Sequence, residues 1–143
     1  MPALNSPQSL QSAPNHGFGG TKKVSYGFVD FSGTITTADA ANVCQLPVGA
    51  IVLHVTIESD DLDTNATPTI TLNVGDAGLA TRYFSGSTAA QAGTVAIANA
   101  ITGLFYQVTG TNDTMVRVAV AANAATSAAG TVRIAVEYVL PQG

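Results

Sequence analysis

The side chains best placed to do chemistry in this 143-residue chain are the oxygen donors of Asp60-Asp61-Leu62-Asp63-Thr64-Asn65. Asp61, Asp63 and Asn65 stand at alternate positions, the spacing with which the first three ligands of a calcium loop converge on a hard cation. The pattern then breaks. Ala66 occupies the place of the turn glycine and Leu72 that of the bidentate glutamate, which excludes an EF-hand. A simpler calcium site and an Asx-rich turn, whose side chains accept backbone N–H groups, remain the two readings. The turn is preferred, and no metal ligand is assigned.

Other chemistry fares no better. A Ser, His and Asp set needs a histidine that accepts and returns a proton, and only His16 and His54 exist. His16 lies in a stretch with no periodicity, and His54 sits within a strand pattern, where a satisfied or solvent-facing histidine is expected. Two histidines and the single Cys44, far apart in sequence, do not make a zinc set. Cys44, within VCQL, reads as a small buried hydrophobe that closes no intramolecular disulfide. The stretch HGFGGTKK, residues 16–23, lacks the Walker spacing and follows no strand. Sugar binding by a β-sandwich calls for exposed aromatic platforms. There is no Trp; Tyr83 and Tyr106 are the candidates, while Tyr26 and Tyr138 fit core faces. No catalytic, cofactor-binding or metal-binding residue is assigned, no cofactor is expected, and the chain is read as not an enzyme.

Charge narrows the partners. The net charge is −4 and only Lys22 and Lys23 are adjacent; Arg82, Arg117 and Arg133 are scattered, which is no track for phosphates. Nucleic acid is therefore excluded as a direct partner. No apolar run nears the roughly 20 residues that cross a bilayer, so no membrane association is expected. The first residues, MPALNSPQSLQ, lack a basic start and an apolar core, so no signal peptide is expected and the chain should remain in the cytoplasm where it is made. Only 10% of residues are charged, against roughly 25% in ordinary soluble domains. A surface of Thr, Ser, Ala, Asn and Gly loses little hydration when covered, so this composition suits a protein enclosed by neighbours.

The elements that must position these groups are strands. Residues 1–22, with Pro2, Pro7, Pro14 and a glycine cluster at Gly17, Gly19 and Gly20, bury too little apolar surface to order themselves. They are expected to form an extended or disordered arm, with Leu4, Leu10 and Phe18 as its main apolar anchors. Residues 23–143 should form one domain. Val24 to Phe31 reads as a strand with Val24, Tyr26 and Phe28 on one face, and Thr37 or Asp39 could cap a short helical turn after it. Ala50 to Glu58 alternates strictly, Ile51, Leu53, Val55 and Ile57 sharing one face. Thr69–Val74, Arg82–Phe84, Leu104–Thr109, Met115–Ala121 and Thr131–Leu140 follow; VAIANAI, from Val95 to Ile101, fits a strand or a helical turn. About eight short strands without a convincing helix predict an all-β, two-sheet antiparallel sandwich, jelly-roll-like rather than immunoglobulin-like.

The order LPVGAIVLHVTI, an acidic polar loop, then TITLNVGD and RYF, spanning Leu46 to Phe84, resembles small structural proteins of tailed-bacteriophage virions. It is most similar to the jelly-roll capsid decoration, or cement, proteins. The resemblance covers about a quarter of the chain, with a looser fit through the C-terminal hairpin, and similar patterns occur in tail and head-tail proteins. It implies a non-enzymatic protein, made in the host cytoplasm, that binds and stabilises the capsid exterior as a homotrimer with the major capsid protein as partner. A tail or head-tail component and a carbohydrate- or receptor-binding module are the alternatives.

Overall fold

The computed structural model describes residues 21–141. Eight strands carry the fold: β1 (Lys22–Phe31), β2 (Ala40–Leu46), β3 (Ile51–Ser59), β4 (Thr71–Gly75), β5 (Phe84–Ser87), β6 (Val95–Ile97), β7 (Thr114–Ala122) and β8 (Gly130–Val139). One sheet has the order β1-β8-β3-β6 and the other β2-β7-β4-β5. The first strand pairs with the last, the second with the second-last, and so inward to the β4–β5 hairpin, every pair antiparallel. This is one long hairpin rolled on itself, and the additional pairs β3·β8 and β4·β7 close the two sheets. The expected jelly-roll sandwich is the fold observed.

Alternating aliphatic side chains fill the space between the sheets. Val116, Val118 and Val120 from β7 meet Val132, Ile134 and Val136 from β8, with Leu46, Val55, Ile57, Ile70, Leu72 and Val74 around them, all buried. Ambiguity in VAIANAI resolves into the short strand β6 followed by a turn from Ile101 to Phe105. Asp39 caps a tight turn rather than a helix, its carboxylate accepting the Thr36 N–H at 2.8 Å.

The structure corrects several expectations. In β3 the alternation is broken by a bulge between Val52 and His54, so Val52 and Val55 both point inward while Ile51 and Leu53 are only half-buried. In β1 the apolar set Val24, Tyr26 and Phe28 does share a face, but that face is outward. The inner side is too close to β2 for large groups: a Cβ on Gly27 would overlap the Val43 carbonyl, and Ser25 Oγ donates to the Gln45 carbonyl at 2.6 Å. The strand expected at Arg82–Phe84 begins at Phe84 instead. Leu104–Thr109 is not a strand, because Phe105 adopts a left-handed φ of 61° that breaks the pleat. Its backbone still follows β3, Phe105 N–H donating to Val52 O at 2.7 Å and Val108 N–H to Ala50 O at 2.8 Å. Residues 1–20 of the expected arm lie outside the described residues; Lys22, assigned to that arm, already pairs with Val139.

Candidate interaction surface

The acidic loop after β3 is an anchor for backbone. Asp63 is fully buried. Its Oδ2 accepts the N–H groups of Thr69 at 2.7 Å, Ala125 at 2.9 Å and Ile70 at 3.1 Å, and its Oδ1 accepts that of Thr126 at 2.8 Å. Burial works to raise the carboxyl pKa, but these N–H groups together outweigh it and hold the group far below the usual carboxylate range. Asp61 Oδ1 accepts the Asp63 N–H at 3.0 Å and Asn65 Oδ1 the Thr67 N–H at 2.9 Å. The segment is thus a run of Asx turns, within which Asp63 alone collects backbone donors from two loops, at residues 69–70 and 125–126.

Neither proposed aromatic platform is open. Tyr83 is buried, and burial together with the nearby Asp76 carboxylate pushes its hydroxyl well above the ordinary tyrosine range. Tyr106 is covered by Arg82, whose guanidinium carbon lies 3.7 Å from the ring centroid. Arg82 is fixed in turn by Asp76 at 2.6 Å, so the three residues lock the loop before β5 to the loop after β6. Cys44 is buried as expected, and burial raises its thiol pKa against a weaker contact from Ser25. His54 lies half-exposed beside Glu137 at 3.7 Å and Thr56 at 3.3 Å. His16 lies outside the described residues.

What the molecule offers outward is apolar surface. Tyr26 is 77% exposed and Phe28 64%, with Val24 beside them on β1 and Val95 and Ile97 exposed on β6, all on the outer side of the β1-β8-β3-β6 sheet. Sequence patterning grouped the β1 residues correctly but missed their direction, because hydrophobic alternation names a face without saying which side it covers. A second feature is the turn between β6 and β7, where Ile101 is 94% exposed and Phe105 75%. Left-handed backbone in a bulky residue is strained and persists only when its surroundings fix it. Here the Phe105 N–H bond to Val52 and the Thr102 Oγ1 bond to the Arg82 carbonyl at 2.8 Å provide that restraint. Among the described residues, no helix is long and apolar enough to cross a membrane.

No protein-family model and no curated protein matches the chain. Solved structures do. A chain from the cyanophage Pam1 capsid asymmetric unit is 70% identical with a TM-score of 0.89, the match covering 99% of this chain and 100% of that one. A chain from the capsid of Ralstonia phage GP4 is 30% identical with a TM-score of 0.72, covering 95% of each. One from the acidic stable capsid structure of Helicobacter pylori bacteriophage KHP30 shares the fold at 18% identity and a TM-score of 0.64, covering 87% of this chain and 91% of that one. Likeness at 70% and 30% identity over nearly the whole length goes beyond a shared jelly roll, and the chain belongs to this family of phage virion structural proteins.

Proposed function

We propose that this chain is a non-enzymatic decoration, or cement, protein that sits on the outside of a phage capsid as a homotrimer and binds the major capsid protein. The observation that carries this reading is the pair Ile101 and Phe105, two large apolar side chains held out to solvent on a restrained turn in a capsid-family chain. Burying them against a shell would gain roughly 1.5–3 kcal/mol each, with little desolvation of charge to oppose it. A protein that binds the assembled shell and not its free subunits stabilises the shell by the free energy of that binding. Three copies engaging at once would make modest individual contacts sufficient. The arm is assigned to capsid or intersubunit contacts.

The test is to add purified protein to shells lacking it and to measure co-sedimentation and shell melting temperature. Binding that raises the melting temperature is expected, with occupancy lowered by Ile101→Ser with Phe105→Ser and by deletion of residues 1–20. Full occupancy by the truncated protein would count against the arm's role. Failure of the wild-type protein to bind, or its appearance on the tail in a map of the particle, would overturn the reading.

A further inference from the structure

The outer side of the β1-β8-β3-β6 sheet contains a trough. Register places Tyr26 opposite Ala135, Ala135 opposite Thr56 and Thr56 opposite Ile97, so one row across all four strands runs large, small, small, large. The small pair leaves a groove of about 310 Å³ lined by Val24, Tyr26, Phe28, Thr56 and Ala135, with Glu58 and Arg133 also in its wall. These two charges are paired, Arg133 with Glu58 at 3.4 Å and with the neighbouring Asp60 at 3.6 Å, so the lining has no net charge.

Three observations say what fits there. The first is size. The groove of about 310 Å³ runs over three strands, β1, β8 and β3, spaced about 4.8 Å apart, a channel roughly 10 Å wide that suits extended chain. The second is charge, since residues 1–20 contain no Asp, Glu, Lys or Arg and match a neutral trough. The third is reach and pattern. Twenty residues extended at about 3.3 Å each span roughly 65 Å, and Leu4, Leu10 and Phe18 stand at even positions, on one side of an extended chain.

We propose that this trough is the seat of residues 1–20 of a neighbouring copy of the chain. The inference rests on the oligomer in the proposed function and specifies how that oligomer is held. The chain enters β1 at Lys22, on the strand that carries Tyr26 and Phe28. A reversal within residues 17–20 toward the chain's own trough would place Phe18 in the turn and remove it as an anchor. Each copy then gives one arm and accepts one at a different place, a heterologous contact that closes into a ring.

The experiment uses full-length chains. Leu4→Cys, Leu10→Cys and Phe18→Cys variants are each mixed with a Thr56→Cys chain of different mass and oxidised, Cys44 being buried throughout. We expect at least one arm variant to form a disulfide-linked heterodimer. Adding Ala135→Arg to the acceptor should lower its yield about tenfold or more, as a guanidinium is forced beneath an apolar anchor, with the acceptor's melting temperature unchanged. Absence of any heterodimer, a yield unaffected by Ala135→Arg, intrachain closure in the Leu10→Cys/Thr56→Cys chain, or a wild-type chain that stays monomeric would each overturn the proposal. Wild-type shell binding is measured in parallel: binding without linkage refutes this inference alone, and linkage without binding refutes the capsid role alone.

Discussion

Asp63 and Thr126 are joined across 63 residues of sequence by a 2.8 Å hydrogen bond from the Thr126 N–H to the Asp63 carboxylate. That bond and its companions from Thr69, Ile70 and Ala125 tie the loop after β3 to the loop between β7 and β8. The folded-state carboxyl pKa is depressed, so the stabilisation is present above the ordinary aspartate value, about 4, and is lost as pH falls through the folded-state value. The wild-type melting temperature should therefore decline below about pH 4. Asp63→Asn, which turns amide hydrogens toward N–H donors, should melt lower at pH 7 and depend less on pH in the acid range; thermal scans from pH 7 to pH 2 check both.

Gly27 is the point of closest approach between β1 and β2, where an added Cβ would overlap the Val43 backbone. Gly27→Ala should destabilise the protein by about 1–3 kcal/mol, the range for overpacking a site that cannot relax, as measured by chemical denaturation.

The Tyr83 hydroxyl is buried and finds no hydrogen-bond partner among the described residues. Removing an unsatisfied buried polar atom relieves its desolvation penalty, so Tyr83→Phe should raise stability by roughly 1 kcal/mol. A lower melting temperature would show that the hydroxyl is satisfied in solution.

Phe105 separates stability from attachment. Asparagine tolerates the left-handed region better, so Phe105→Asn should stabilise the free protein by about 1 kcal/mol. The same change should weaken shell binding under the proposed function. Calorimetry of the free chain and sedimentation with shells read the two effects independently.

Several elements were plain in the sequence because their alternation is sustained: β4, β7 and β8 keep one aliphatic face throughout. β1 was legible as a strand but not in its orientation. Its inner side carries Ser25, Gly27 and Val29, which suit a crowded gap against β2, and nothing local distinguishes that from a solvent face. The β3 bulge was hidden because Ile51 through Val55 are apolar in either register apart from His54, so an extra residue leaves no mark. The Asp61, Asp63 and Asn65 spacing correctly signalled an Asx-rich turn, with Asp61 and Asn65 accepting N–H groups two residues on, while the targets of Asp63, N–H groups at residues 69, 70, 125 and 126, lie where periodicity has no reach. The exposed turn at Ile101 and Phe105 was missed because an apolar pair reads as strand until backbone geometry turns it outward.

The nested pairing of first strand with last has a kinetic side. Among the described residues, β1 has β8 as its sole sheet neighbour, beginning with Lys22 opposite Val139, so it stays without a ladder until a segment more than a hundred residues later is in place. Contacts that distant close slowly. The row Tyr26, Ala135, Thr56 and Ile97 is drawn from four separate parts of the chain and is complete only once that closure is made. A half-folded chain therefore has no such row to present, and a partner that needs the whole row can bind only molecules in which β1 has closed on β8.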